Sequence, residues 1–153
     1  MDMSIFLRLD NVVTDLRVTN KDALLRDLAK RAAAFLSLDA KTISQALIAR
    51  EGLGSTGMGD GVAIPHARLE GISEPFGMLV RLKRPVEFDA VDGAQVDVFF
   101  LLLLPLSSEG GGQLNILACA ARRVRADGVA QAIRRAPDAA AIYDLMARPG
   151  ERP

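Results

Sequence analysis

The feature that most constrains the fold is an apolar run from Val96 to Leu104, interrupted only by Asp97 and followed by Pro105. A strand buried on one face alternates apolar and polar residues, whereas near-continuous apolar character is typical of strands buried on both faces of an α/β sheet. The run is also far shorter than the roughly 18 apolar residues of a membrane-spanning helix. It therefore predicts the central strand of an α/β domain.

The segments before this strand have helical periodicity and two predicted N-caps. Asn20 precedes a helix whose apolar residues recur at three- and four-residue steps, and Asp39 precedes a second helix that ends near Arg50. The apolar residues are Leu24, Leu25, Leu28, Ala32 and Phe35 in the first helix, and Ile43, Ala46 and Leu47 in the second. These helices are expected to pack their apolar faces on the sheet.

The other predicted elements complete a βα pattern. Short strands are predicted at Val62–Ile64 and at Met78–Val80, the latter closed by Arg84 and Pro85, while residues 1–19 offer only Val12–Val13. After the central strand come a helix that ends before Gly128, a segment from Val129 to Ala136, and a last helix capped by Asp138. Strands followed by helices predict one α/β domain over residues 1–153 with a central sheet.

Composition excludes several function classes. Nineteen basic residues balance nineteen acidic ones, which argues against a nucleic-acid-binding protein. One cysteine and one histidine form neither an internal disulfide nor the usual zinc cage, so no metal site is predicted. The first residues lack the basic region and apolar core of a secretory signal, so a cytoplasmic protein without membrane insertion is expected.

The segment from Arg50 to His66 carries the candidate chemistry. It contains five glycines and ends in the only histidine of the chain. Glycine backbones approach an anion closely, so the segment is a candidate phosphate-binding loop. The short apolar strand that follows and Pro65, which favours extended backbone before it, predict that His66 lies at a strand end.

The residue types in this segment fit a phosphohistidine site. A neutral imidazole is a good nucleophile when a carbonyl or carboxylate holds its other nitrogen as a donor. The guanidinium of Arg50 fits phosphate, and Ser55, Thr56 and the glycine amides offer neutral donors. The ordinary alternatives are a structural histidine, a helix-end arginine that binds the last carbonyls, and turn chemistry for the hydroxyl residues.

Other readings of the same segment are weaker. The repeated glycines at 57, 59 and 61 precede a strand rather than a helix, and no Gly-Lys-Ser/Thr sequence exists, so nucleotide binding is disfavoured. No serine lies in a Gly-x-Ser-x-Gly elbow, which disfavours a serine hydrolase. Glu51 is expected either to orient Arg50 or to be solvated, and Asp60 is expected to form a turn.

Together these residues resemble a known family. Arg50-Glu51 and the sequence from Ser55 to His66 are similar to the active-site signature of fructose/mannitol-type IIA proteins of the phosphoenolpyruvate-dependent phosphotransferase system, and the likeness continues from Phe88 to Pro105. The resemblance implies a mixed β-sheet flanked by helices. It implies that His66 accepts a phosphoryl group from a small histidine phospho-carrier protein, that Arg50 steadies the phosphohistidine, and that no metal or cofactor takes part.

One position departs from the family pattern. Members usually carry a second active-site histidine where this chain has Gln113, which donates hydrogen bonds but cannot become cationic. Residues predicted to contact the phosphoryl group are Ser55, Thr56, Gly57 and Gln113. The region from Phe88 to Pro105 is most similar to the nitrogen-regulatory IIA proteins, which implies a phosphorylation-dependent regulator; the alternatives are a IIA component of a sugar permease that serves a IIB domain, and a binding module that has lost phosphotransfer.

Overall fold

The computed structural model describes residues 3–106 and 110–147, and the side chains of residues 5 and 110–114 lie outside that description. A short 3-10 helix, Met3–Ile5, precedes the main elements. The strands are β1 (Leu7–Leu16), β2 (Gly57–Gly59), β3 (Val62–Ala63), β4 (His66–Leu69), β5 (Phe76–Val86) and β6 (Val96–Pro105). The helices are α1 (Lys21–Leu36), α2 (Ala40–Gly52), α3 (Gly110–Arg125), α4 (Val129–Arg135) and α5 (Ala139–Ala147).

The strands form one mixed sheet in the order β1-β5-β6-β3-β2. Strand β6 pairs antiparallel with β5 on one side, and parallel with both β3 and β4 on the other. Strand β1 adds parallel to β5, and β2 closes the opposite edge antiparallel to β3. The expected mixed sheet flanked by helices is therefore confirmed.

Strand β6 is buried on both faces, as its composition predicts. Phe99, Leu101 and Leu103 belong to a core shared with α1 and α2. Val98, Phe100 and Leu102 alternate with them and belong to a second core shared with α3, α4 and α5. The two cores explain why this strand tolerates so few polar residues.

The three predicted N-caps are confirmed. The side chain of Asn20 accepts a hydrogen bond from the Ala23 amide at 2.8 Å, and that of Asp39 accepts one from the Thr42 amide at 3.2 Å. Asp138 caps α5 in the same way through the Ala141 amide at 2.9 Å. No helix in the described part of the chain combines the length and apolar character needed to cross a membrane.

Two strands are longer than the sequence predicts. Strand β1 covers ten residues instead of two, because its register on β5 shifts between Leu7 and Val12 and the irregularity hides the two-residue alternation. Strand β5 continues through Pro85, because a second register shift between Arg81 and Val86 removes the need for a proline amide donor.

The burial of two side chains differs from what the helical or strand pattern predicts. Phe35, expected on the buried face of α1, is 51% exposed; the buried positions of that helix end at Ala32, and the Phe35 ring contacts Phe76 at a centroid distance of 5.9 Å. Arg81, in the middle of β5, is buried at 7% exposure. It donates to the carbonyls of Ile133 and Ala136, where α4 ends, and pairs with Asp15 at 3.2 Å.

Candidate active site

The glycine-rich segment folds as a β-hairpin rather than as an open phosphate-binding loop. Strands β2 and β3 pair across a turn at Asp60 and Gly61, both of which have positive φ, +58° and +78°. Paired positive φ values suit the tight turns of two-residue hairpins, and Asp and Gly tolerate them. The turn-forming role expected of Asp60 is confirmed, and the glycines serve hairpin geometry.

His66 is the first residue of β4, a strand that the sequence does not predict, rather than the residue that follows a strand over 62–64. Strand β3 ends at Ala63, and Ile64 and Pro65 connect it to His66. The connection is fixed at both ends: the Ile64 amide donates to the Thr56 carbonyl at 3.1 Å, and the Leu102 amide donates to the Pro65 carbonyl at 3.0 Å. His66 itself lies opposite Leu102 in the β4–β6 ladder, so its backbone is anchored on the central strand.

The hydrogen bonds of the His66 ring define its neutral tautomer. Nδ1 lies 2.9 Å from the Ile64 carbonyl oxygen, which can only accept, so Nδ1 carries the proton. Nε2 lies 3.3 Å from Nε of Arg50, which can only donate, so Nε2 presents its lone pair. Two contacts therefore assign Nε2 as the ring nitrogen that carries the lone pair.

Arg50 lies in the last turn of α2, beside the histidine. Its Nε donates to Nε2 of His66, and one terminal nitrogen donates to the Gly54 carbonyl at 2.8 Å. The second contact matches the ordinary behaviour of an arginine at a helix end, whereas the first places a cation next to the Nε2 lone pair. The helix thus delivers Arg50 to the imidazole.

The environment of His66 favours the neutral ring. Burial lowers the pKa of His66 from its ordinary value, because the imidazolium loses hydration. The hydrogen bond to Ile64 raises this pKa, the Arg50 guanidinium lowers it, and the Glu51 carboxylate raises it. The net direction is downward, so the neutral imidazole predominates at neutral pH.

The neutral state assigned to His66 predicts the pH at which the ring of this histidine, the only one in the chain, takes up a proton. The His66 ring is expected to titrate below about 6.5, the value of an unperturbed histidine. Arg50→Ala is expected to raise the midpoint, because it removes a positive charge beside the ring, whereas Arg68→Ala, an exposed change on the same strand, leaves it unchanged. NMR titration of the ring protons measures both; a wild-type midpoint above 6.5 contradicts the neutral assignment.

A shallow cleft of about 190 Å³ opens on these groups. Arg50, His66 and residues 55–58 form one side, and Leu117 and Ala121 of α3 form the other. A larger cavity of about 460 Å³ lies at a different place, between the start of β1 and residues 71–76, and none of the predicted site residues lines it. The smaller cleft is therefore the candidate active site.

The predicted neutral phosphate ligands line the cleft, but their donors already have partners within the protein. The Ser55 hydroxyl donates to the Phe88 carbonyl at 2.8 Å, and the Gly57 amide donates to the Ser55 oxygen at 3.0 Å. Thr56 is buried, and both its amide and its hydroxyl donate to Glu51. Contact of these residues with a phosphoryl group stays a prediction.

Glu51 does not have the role expected from the sequence. Its side chain is 4% exposed, so it is not solvated, and its partners are Thr56 and Lys21 rather than Arg50. The reason is that the chain turns back after α2, which brings the Thr56 amide over the end of that helix. The carboxylate therefore supports the connection to the hairpin.

Two charged residues that support the site have no local signal in the sequence. Lys21, in the first turn of α1, pairs with Glu51 at 2.9 Å. Arg134 of α4 pairs with Asp97 at 2.9 Å and donates to the Asp60 carbonyl at 2.6 Å, which holds the hairpin turn against α4. Both contacts join segments more than 25 residues apart, so only the folded chain reveals them.

Gln113 belongs to the first turn of α3, but its side chain lies outside the described residues, so its predicted contact stays a prediction. Within residues 3–106 and 110–147, no group of three or more histidine, cysteine or acidic side chains is arranged to hold a metal ion. The chemistry available in the cleft is that of one neutral imidazole beside one guanidinium.

The sequence matches a known family over nearly its whole length. Residues 5–148 match the family described as "Phosphoenolpyruvate-dependent sugar phosphotransferase system, EIIA 2". A "Nitrogen regulatory protein" of Bradyrhizobium diazoefficiens is 39% identical over 138 residues, which is 90% of each chain. A "PTS system fructose-specific EIIA component" of Haloferax volcanii is 32% identical over 123 residues, 80% of this chain and 78% of that one.

A solved structure has the same fold. The crystal structure of nitrogen regulatory protein IIA-Ntr from Neisseria meningitidis superposes with a TM-score of 0.87 at 32% sequence identity. The match covers 94% of this chain and 97% of that chain.

Proposed function

The chain belongs to the EIIA 2 family of the phosphoenolpyruvate-dependent sugar phosphotransferase system, and from this membership we propose that it is a cytoplasmic phosphoryl carrier that is phosphorylated on His66. The donor is a small histidine phospho-carrier protein. The observation that carries the proposal is the geometry of the ring: Nδ1–H is held by the Ile64 carbonyl, and the Nε2 lone pair accepts from Arg50 where both side chains line the cleft.

The phosphoryl group passes from the imidazole of the donor to that of His66. The Nε2 lone pair of His66 forms a bond to phosphorus while the P–N bond of the donor breaks, and that electron pair returns to the donor ring. The His66 proton stays on Nδ1, which donates a hydrogen bond to the Ile64 carbonyl. A reaction of this kind needs positioning and charge stabilisation, and it involves no redox step.

Arg50 changes partners during this reaction. In the free protein its Nε occupies the position next to Nε2 that the incoming phosphorus must take. Approach of the donor therefore requires the guanidinium to move from the ring nitrogen to the phosphoryl oxygens, for which its planar fork is well suited. Arg50 stabilises the added charge without a proton transfer.

The regulatory branch of the family is the better match for the role of this carrier. We propose that the phosphorylation state of His66 controls binding to target proteins, supported by the 39% identity to a nitrogen regulatory protein and the structural likeness to IIA-Ntr. A phosphoryl group adds close to two negative charges at neutral pH to a cleft that opens at the surface. A partner that docks over His66 is accepted or rejected accordingly.

A second candidate function is that of a IIA component of a sugar permease, which passes the phosphoryl group to a IIB domain. The similarity to a fructose-specific EIIA component supports it. Incubation of the phosphorylated chain with purified IIB domains separates the two: loss of phosphate from this chain and its appearance on IIB supports the permease role, whereas retention supports the regulatory role.

The proposal is tested by intact-protein mass spectrometry. The chain is incubated with phosphoenolpyruvate, the general phosphotransfer enzyme and the histidine carrier, and a gain of one acid-labile phosphoryl group is expected. If a donor system that phosphorylates a control IIA protein leaves this chain unmodified, phosphotransfer is contradicted and a binding module that has lost the relay becomes the better reading.

A histidine at position 113 is expected to speed this reaction. Gln113 cannot carry a positive charge, whereas histidine can become cationic near the added phosphoryl group. Gln113→His is therefore expected to raise the initial rate of phosphorylation several-fold, about the effect of one added favourable charge. Gln113→Asn is the neutral control; an equal or lower rate for Gln113→His contradicts the prediction.

A further inference from the structure

A buried carboxylate lies next to the active site without contacting its cleft. The Glu51 side chain is 4% exposed and accepts hydrogen bonds from the amide and hydroxyl of Thr56. The ammonium group of Lys21 lies 2.9 Å away and is itself held by the Phe88 carbonyl at 3.3 Å and over the Phe88 ring at 4.5 Å. A buried carboxylate requires partners of this kind, because unpaired burial of its charge is strongly unfavourable.

This carboxylate anchors a series of hydrogen-bonded residues that ends at the His66 ring. The Thr56 amide donates to Glu51 at 3.2 Å, and the Thr56 carbonyl accepts from the Ile64 amide at 3.1 Å. The Ile64 carbonyl in turn accepts from Nδ1 of His66 at 2.9 Å. Thr56 and Ile64 are each held through the amide on one side and the carbonyl on the other, so the position of the Ile64 carbonyl depends on how Glu51 holds Thr56.

The Glu51 carboxylate fixes Thr56 through both its amide and its hydroxyl, and the Thr56 carbonyl in turn fixes the Ile64 amide. The Ile64 carbonyl positioned in this way is the acceptor that keeps the His66 proton on Nδ1. The Glu51 charge also acts directly on the ring and raises the pKa of His66.

We propose that Glu51, held by Lys21, is a positioning residue for phosphoryl transfer: it acts through Thr56 and Ile64 to hold His66 in the tautomer that presents Nε2. The inference rests on the proposed function for its catalytic consequence. Its structural part, control of the His66 tautomer, is independent of any phosphoryl donor.

The central test compares Glu51→Gln with Glu70→Gln, the same change at an exposed position after β4. Because His66 is the only histidine, its ring nitrogens give isolated ¹⁵N signals in the full chain. Glu51→Gln is expected to lower the fraction of the Nδ1–H tautomer and to lower the pKa of His66, whereas Glu70→Gln leaves both at the wild-type values.

Kinetic measurements distinguish an effect on the orientation of the His66 ring from an effect on binding of the phosphorylated carrier. Glu51 does not line the cleft, so Glu51→Gln is expected to reduce kcat for phosphorylation by about tenfold to a hundredfold, as small misplacements of a reacting group do, with little change in KM for the phosphorylated carrier. A variant with weakened docking instead raises KM. Glu70→Gln is expected to match the wild type in both constants.

A second pair of variants covers the case in which Glu51→Gln does not fold. Thr56→Val removes the hydroxyl bond to Glu51, and Thr56→Ser retains it. The valine variant is expected to shift the tautomer in the same direction as Glu51→Gln, and the serine variant to restore the wild-type signals. Circular dichroism verifies folding of each protein before the comparison.

The outcomes distinguish this inference from the proposed function. If folded Glu51→Gln and Thr56→Val keep the wild-type tautomer, pKa and kcat, the positioning role is overturned while phosphotransfer stands. If the wild type is not phosphorylated but the tautomer shifts in both variants, the proposed function fails and the structural coupling of Glu51 to His66 is supported.

Discussion

Alanine at His66 is expected to abolish phosphorylation of the chain. His66 is the only histidine, and its neutral ring lines the cleft with Nε2 as hydrogen-bond acceptor from the Arg50 guanidinium. Without it no lone pair is available to form the N–P bond, so the mass gain from the phosphoenolpyruvate-driven donor system falls to background. Loss of a nucleophile typically removes many orders of magnitude in rate.

Arg68→Ala is the matched control for this result. Arg68 is exposed, lies two residues further along β4 and therefore points to the same side of the sheet as His66. The Arg68→Ala protein is expected to accept the phosphoryl group on His66 as the wild type does. A mass gain of one phosphoryl group on folded His66→Ala under the same conditions contradicts the assignment of His66.

Methionine at Arg81 is expected to lower the free energy of unfolding by about 1–3 kcal/mol, the range typical of a buried acceptor that loses its donor. The Arg81 guanidinium satisfies the carbonyls of Ile133 and Ala136 at the end of α4 and pairs with Asp15. Methionine keeps the apolar stem but leaves the two carbonyls without this donor, which makes the change unfavourable.

Urea unfolding of Arg81→Met and Arg84→Met measures this effect. Arg84 lies on the same strand but is exposed, so its replacement is expected to change the free energy of unfolding by less than about 0.5 kcal/mol. Equal stability of the two variants would show that Arg81 is not the link between the sheet and α4.

The predictable part of the fold is the part governed by local pattern. Strand β6 is predictable because burial of both faces gives it a near-continuous apolar sequence. The caps at Asn20, Asp39 and Asp138 are predictable because each side chain binds a backbone amide only three residues away. Strand β1 is not predictable in the same way, since its irregular pairing with β5 removes the alternation that identifies a strand.

The candidate site likewise contains residues that the local sequence predicts and residues that only contacts distant in sequence reveal. His66 and Arg50 follow from one contiguous segment and from its family resemblance, and the structure brings them within 3.3 Å. Glu51, by contrast, gains its partners from Lys21 and from a reversal of the chain after α2, so its burial could not be inferred from neighbouring residues. The same holds for Arg134, whose contact with the hairpin joins α4 to Asp60.

The geometry also suggests how a phosphoryl group changes the surface around the cleft. The same guanidinium that contacts Nε2 binds the Gly54 carbonyl, and Leu53 beside it is 85% exposed. If Arg50 moves to the phosphoryl oxygens as proposed, the contacts of this turn change together with the local charge. A partner that docks here would then meet a different shape and a different charge in the two states.

The most direct test of the phosphohistidine assignment is NMR spectroscopy of the ¹⁵N-labelled chain after phosphorylation. A one-bond coupling between ³¹P and Nε2 of His66, with the proton retained on Nδ1, is the predicted result, because the Ile64 carbonyl already holds that proton in the free protein. A phosphoryl group on Nδ1, or on any residue other than His66, would contradict the proposed reaction.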